Sequence, residues 1–312
     1  MKLSENGKNI FQSPIIITLL ALLCCALWGS ATPFIKTGYT LMAVSGVPST
    51  ILFAGIRFTL AGIITVAIYS IARRKILYPR LNNIPKVLTV SVFQTVIQYI
   101  FFYIGLANTS GVKGTIASGS SAFFCVLIAS LIFRQEKLTF KKILACILGF
   151  AGIVVVNLNG LELTMNLLGD GFVIFSTISY AFSSVLMKRF SKDEDPVVIS
   201  GYQFIVGGVF MVVLGLSLGG TVKLSDGLGL LVLLYLAILS AVAYAVWGML
   251  LKYNPVSRVS IFSFTTPIFG TLLSMIMLAD EASGTQPINL VITLVLVSAG
   301  IFLLNYQPKE KE

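Results

Sequence analysis

Histidine is absent from the 312 residues of this chain. Its absence removes imidazole proton relays, histidine metal ligands and hydrolases of the Ser-His type together. Charge is nearly as scarce: 11% of the residues are Asp, Glu, Lys or Arg, against about 25% in a soluble domain. The 12 carboxylates fall in tails, turns or the ends of apolar runs. A membrane aspartyl protease needs paired aspartates inside such runs, and proton-coupled antiporters commonly hold a carboxylate at mid-depth. The sequence offers neither. Cys24, Cys25, Cys125 and Cys146 sit inside apolar runs without metal-ligand or disulfide spacing, and read as small hydrophobes. No enzyme activity, metal or cofactor is expected.

What the chain has in excess is apolar surface: 56% of it is hydrophobic and its mean hydropathy is +0.94. Crossing ~30 Å of hydrocarbon takes about 20 mostly apolar helical residues. Ten runs qualify, at 14–36, 48–72, 86–107, 112–133, 142–158, 168–187, 197–218, 228–251, 257–278 and 287–306, the fifth being short. A lipid-facing backbone must bond within its own segment, and continuous runs lack the alternation of a barrel. The fold class predicted is all-α, a polytopic membrane protein of ten transmembrane helices. With the N-terminus in the cytoplasm, only Lys36, Lys113 and Lys223 fall outside and only Arg57 falls within a run. Every other basic residue lands on the cytoplasmic side, so both termini are predicted to be cytoplasmic. Topology and anionic lipid then explain the net charge of +10, and no nucleic acid is needed. Lys2 and Lys8 ahead of the first run resemble a secretory signal. The run is too long for one and lacks a small-x-small cleavage site, which predicts an uncleaved span.

Glu136 and Glu281 each close an apolar run, and a shift of 145 residues aligns them. The same shift lays Lys113 on Arg258, Thr115 on Ser260, Ile116 on Ile261, Ser118 on Ser263 and Ser121 on Thr266. A shift of 152 lays Trp28-Gly29 on Tyr180-Ala181 and Lys36 on Lys188, and one of 146 lays Gly55, Arg57 and Phe58 on Gly201, Gln203 and Phe204. The chain reads as one five-helix unit used twice, over residues 1–160 and 161–312. Five is odd, so the second unit enters from the opposite face and the repeats are inverted. Two such halves rocking against each other expose one central site to either side in turn. Motion, rather than bond chemistry, is implied.

Several residues are candidates for that site. Arg57 is the one full charge near mid-depth, ~13 Å along the helix from Pro48. A cation there costs on the order of 2.5–3.5 kcal/mol and must face the interior. It reads either as an anchor for a substrate carboxylate or phosphate or as a clamp on backbone carbonyls at an interrupted helix. Gln94 and Gln98, four residues apart, share a polar stripe with Ser91; they line a cavity or bond neighbouring helices. Gln203, the counterpart of Arg57, belongs with them. Trp28, Gly29 and Pro33 are expected to interrupt the first helix, and Trp28, Tyr180, Tyr244 and Trp247 read as an apolar cage or as packing. Small residues from Gly111 to Ala129 and from Ser257 to Ser274 step by three or four, a face for close helix association or for sliding.

Trp28-Gly29 with Lys36, Arg57-Phe58, Gly105-Leu106-Ala107, and Glu136-Lys137-Leu138 followed by Gly149 and Gly152 together resemble the EamA-type pattern of the drug/metabolite transporter superfamily, with Glu281 and Gly300 repeating part of it. Ala122 departs from the pattern, standing where proline is common in span four, while Pro267 keeps the proline in span nine; a one-sided helix break is expected. Ala282, after Glu281, stands where a basic residue is usual. The resemblance implies a ten-helix inner-membrane carrier exporting amino acids, related metabolites or drugs, with amino acids first. Lipid or lipid-linked sugar translocation and multidrug export are the alternatives. Glu136 and Glu281 are expected to fix turns, cap or gate rather than touch cargo. The partners expected are a small-molecule substrate and the lipid bilayer, with a homodimer left open.

Overall fold

In hydrocarbon a backbone N–H has no solvent to bond, so each apolar run closes its hydrogen bonds within itself as a helix. The computed structural model describes residues 10–158, 164–277 and 286–305, and among these there is no strand. The helical segments are α1 (Pro14–Leu41), α2 (Gly46–Arg73), α3 (Leu81–Ala107), α4 (Val112–Ile132), α5 (Phe140–Val156), α6 (Leu167–Phe190), α7 (Pro196–Ser217), α8 (Gly227–Tyr253), α9 (Val256–Leu273, continuing to Met277) and α10 (Pro287–Asn305). Nine of those described are long and apolar enough to cross a membrane. The exception, α5, has 17 residues, a rise of about 26 Å. The chain is a multi-pass membrane protein.

Apolar side chains gain nothing by leaving lipid for one another, so close packing must hold these helices together. The most extensive contact is between α2 and α7, where glycines let two backbones touch. A Cβ added to Gly62 would lie 2.5 Å from the Gly201 carbonyl oxygen, and one added to Gly208 would lie 2.5 Å from the Thr59 nitrogen. Gly55 and Gly215 are bounded by the Val212 and Leu52 nitrogens in the same way, at 2.6 and 2.7 Å. The small-residue stripes of spans four and nine, the stronger packing signal in the sequence, do not make this contact. Against it Phe53, Phe58, Phe204 and Met211 are fully enclosed. At the periphery α10 leaves Val291, Val295 and Phe302 more than half exposed.

The first helix is not interrupted. α1 runs unbroken through Trp28, Gly29 and Pro33, because Gly29 serves a helix crossing instead: a Cβ there would lie 2.6 Å from that of Phe269 and 2.9 Å from the Thr266 carbonyl oxygen. α1 packs against α8 and α9 along this stretch, and it stays helical where Pro33 removes one hydrogen bond.

The α2–α7 contact makes a direct prediction. Gly62→Ala and Gly208→Ala should each lower the thermal unfolding midpoint in detergent, at a cost of roughly 1–3 kcal/mol for overpacking. Gly227→Ala, whose Cβ would meet nothing within 4 Å, should leave it unchanged; equal effects at all three positions would refute the contact.

Candidate functional site

Arg57, on α2, is 3% exposed. Its Nε and Nη2 both donate to the Ser240 hydroxyl on α8, at 3.2 and 2.9 Å, and that hydroxyl donates to the Leu236 carbonyl at 2.9 Å. Its acceptor is therefore a side chain, not the carbonyls of a broken helix. No carboxylate among the described residues pairs with it. Gln203, on α7, is fully buried, and its Oε1 accepts from Thr95 of α3 at 2.5 Å. The cation and the amide are each held by one hydroxyl, on α8 and α3 respectively.

Between these two contacts stands a column of rings. Phe58 and Phe204 stack at 5.1 Å, and the hydroxyls of Tyr99 and Tyr244 meet at 2.8 Å. Phe58 packs on Tyr99 at 4.4 Å and Phe204 on Tyr244 at 4.8 Å. Trp28 lies edge-on to Tyr244 and to Trp247, at 5.2 and 4.9 Å. The Arg57 guanidinium sits 5.0 Å from the Phe58 ring and within electrostatic reach of Tyr39, Tyr99, Tyr103 and Tyr244. Trp28, Tyr244 and Trp247 thus share one cluster with Arg57, and Tyr99, Ser240 and Thr95 belong to it without having been singled out in the sequence. The signal for them was available: the 145-residue shift carries Tyr99 onto Tyr244 and Thr95 onto Ser240.

Six of the eight predicted cavity residues carry a buried polar atom with no protein partner: Trp28 Nε1, Gln94 Oε1, Gln98 Oε1, Tyr180 hydroxyl, Gln203 Nε2 and Trp247 Nε1. Buried polar groups are ordinarily paired, so a cluster of unpaired ones needs a cause, and function is one. Gln94 and Gln98 do not form the simple stripe that their spacing predicts. The turn Val92–Ile97 is a π-helix, whose wider winding rotates Gln98 relative to Gln94. Ser179 of α6 donates at 2.6 Å to the Phe93 carbonyl, which also accepts from the Gln98 N–H. None of the eight lines either of two clefts at the surface, one between α1, α9 and α10 and one beside Lys113 and Asp170.

The helix break expected in span nine alone is present in both α4 and α9. α9 is a 3-10 helix over Ile261–Thr265, just ahead of Pro267, and α4 is divided at Ser120. Proline is not the shared cause. The Ser120 hydroxyl donates to the Ala117 carbonyl at 2.5 Å and that of Thr265 to the Phe262 carbonyl at 2.7 Å, a back-bond at positions 145 apart that accompanies both breaks, although the same bond at Ser176, Thr177 and Ser183 leaves α6 unbroken.

Polar latches join the first half of the chain to the second at both ends. Glu136, in the α4–α5 turn, accepts from the Ser257 N–H at 3.1 Å, from the Ser257 hydroxyl and from Lys142 Nζ at 2.6 Å. It therefore caps the start of α9. Burial pushes the Glu136 carboxyl up, but the Lys142 and Ser257 donors outweigh it and hold the group below the usual glutamate range. At the other end Asp170 of α6, 5% exposed, accepts from Thr109, from the Asn166 N–H at 2.8 Å and from Lys113 Nζ at 3.3 Å. Lys188 Nζ donates to the Asn254 and Leu251 carbonyls and closes the end of α8. Glu281 lies outside the described residues.

The described residues form an all-helical, multi-pass membrane protein with a polar and aromatic centre enclosed between its spans. Comparison with known proteins agrees: the EamA-like transporter family matches twice, at residues 15–158 and 167–306, and the chain belongs to that family. An uncharacterized transporter of Archaeoglobus fulgidus is 26% identical over 81% of this chain and 87% of its own length. The uncharacterized transporter YvbV of Bacillus subtilis is 23% identical over 94% and 93%, and a chloroplastic WAT1-related protein of Arabidopsis thaliana is 24% identical over 65% and 50%. A solved crystal structure shares the fold with TM-score 0.73 and 18% identity, covering 93% of this chain and 96% of that one.

The Glu136 latch predicts a pH dependence. A carboxyl whose folded-state pKa is lowered contributes stability that is complete above the ordinary glutamate value of about 4.3 and is lost as pH falls through the folded value. Thermal midpoints of the native chain should therefore drop below about pH 4.3, and Glu136→Gln should start lower and flatten that part of the profile. Identical profiles for the two would rule out the latch.

Proposed function

We propose that this protein moves small metabolites across the cytoplasmic membrane by alternating access between two inverted five-helix repeats, with both termini cytoplasmic, amino acids or related compounds as the favoured cargo and export as the direction. One observation carries the reading: the central contacts map onto themselves when the repeats are exchanged. A shift of 145 or 146 turns Arg57–Ser240 into Gln203–Thr95 and the Phe58–Tyr99 pair into Phe204–Tyr244. Phe58–Phe204 and Tyr99–Tyr244 pair each residue with its own counterpart, and Gly62 meets Gly201 as its counterpart Gly208 meets Gly55. Self-complementary contacts of this kind are the property of a two-fold interface. They support an axis through the ring column and count α5 as the fifth span of the first repeat. That symmetry supports alternating access about a central site.

The chemistry at the axis supports an amino-acid-like cargo. Arg57 offers a cation to a carboxylate, the glutamines and indoles offer neutral donors and acceptors, and the rings offer an apolar wall. A second reading, translocation of lipid or lipid-linked sugar, draws support from the groove between α1, α9 and α10, which is open sideways to the bilayer.

The test is uptake of radiolabelled amino acids, nucleotides and cationic drugs into proteoliposomes. At least one amino acid should enter well above empty liposomes, with Arg57→Ala and Gln98→Ala each lowering the rate at least about tenfold, as loss of a charged or buried hydrogen bond predicts. Rates equal to empty liposomes for every amino acid would end the cargo assignment. Unchanged transport in both variants would end the site assignment.

A further inference from the structure

The groove between α1, α9 and α10 encloses about 630 Å³. It begins at Thr18 and Asn305, at the membrane face where α9 starts and α10 ends, and reaches inward to Leu272 and Leu294. From Asn305 to Leu294 the helix rises ~16 Å, about half of a ~30 Å hydrocarbon layer. The groove is therefore one leaflet deep. Leu22, Phe262, Ile268, Phe269 and Ile301 make its walls apolar. The Thr265 hydroxyl, also in the wall, is turned back on the Phe262 carbonyl. Such a surface holds hydrocarbon better than it holds a polar solute.

Its mouth is different. Arg258 donates through Nε to Asn305 Oδ1 at 2.9 Å, which fixes the guanidinium beside the groove. Arg258 Nη2 is buried and has no protein partner, and among the described residues no carboxylate pairs with this side chain. A fixed cation with no carboxylate partner among the described residues, at the headgroup level beside an apolar channel one leaflet deep, has the charge and shape of a phospholipid reversed. We propose that the groove binds one anionic phospholipid of the leaflet on that face, its phosphate on Arg258 and an acyl chain along the face of α9. Basic pockets between transmembrane helices recognise anionic headgroups in this way. The site lies apart from the Arg57 centre, so with the proposed amino-acid-like cargo held at that centre it is a lipid site of the carrier rather than its cargo site.

The experiment uses the full chain, purified in mild detergent, washed free of lipid and titrated with phosphatidylglycerol, phosphatidylcholine or inorganic phosphate. Native mass spectrometry counts bound lipid, and the thermal midpoint reports stabilisation. Expected are one phosphatidylglycerol per chain, held at least about fivefold more tightly than phosphatidylcholine, the value of one basic residue at a membrane surface. Arg258→Gln should abolish that preference and Arg258→Lys should retain part of it. Ser298→Trp, which fills the exposed groove wall without touching the headgroup or the core, should reduce retention of both lipids. Equal binding of the two lipids, undiminished phosphatidylglycerol binding in Arg258→Gln or Ser298→Trp, or full stabilisation by inorganic phosphate alone would overturn the proposal. Displacement of the lipid by a transported solute would do the same, because it would make the groove the cargo path.

Discussion

The backbone contact between α2 and α7 is the constraint on which the centre of this protein depends. Without a hydrophobic drive inside lipid, two helices stay together only where their surfaces meet closely, and the glycines of α2 and α7 allow contact at backbone distance. That approach sets what can face what. It brings Phe58 onto Phe204 and, one layer away, Tyr99 onto Tyr244. A side chain at Gly62 or Gly208 would part the two helices and so separate the rings, the amide and the cation that they position.

The frame is symmetric, but its charge is not. Arg57 and Gln203 occupy corresponding places, each tied to one hydroxyl. A second arginine in place of Gln203 would set two cations in the same low-dielectric centre, where like charges repel far more strongly than in water. The amide keeps the hydrogen bond and removes that repulsion. One neutral hydroxyl accepts from Arg57 twice and does not neutralise it, so the centre retains a positive potential. An anionic group entering it gains energy that a cationic one loses, and this bias follows from the described residues alone.

Hydropathy made the helical fold legible, since a run of apolar residues without alternation has only one way to satisfy its backbone in lipid. The aromatic cluster was legible in part: Trp28, Tyr244 and Trp247 stood out as large rings on polar-flanked spans, whereas Tyr99 was hidden among the phenylalanines of α3. What could not be read from spacing was made by tertiary contacts. The π turn at Val92–Ile97 exists where Ser179 and Gln203 engage α3 from neighbouring helices, and no residue within that turn announces it. The break at Ser120 falls where the sequence has no proline, so proline spacing does not announce it. Pro33 points in the opposite direction, since α1 stays helical through it.

The two latches differ in what they would lose on opening, and this bears on the rocking motion proposed above. Glu136 keeps Lys142, which belongs to its own half of the chain, when Ser257 moves away. Its charge stays paired, and the freed N–H groups at the start of α9 turn toward water. Asp170 draws both Lys113 and Thr109 from the other half and keeps only the Asn166 N–H from its own. Separation there strands a nearly buried carboxylate and leaves a lysine without its counter-ion, the costly way to break an ion pair. The Glu136 face is also crossed by the Lys86–Asp193 ion pair and by Glu194, which accepts from Asn83 and from the Arg80 N–H, so the cost of opening either face is set by these polar contacts together and not by one carboxylate at each end.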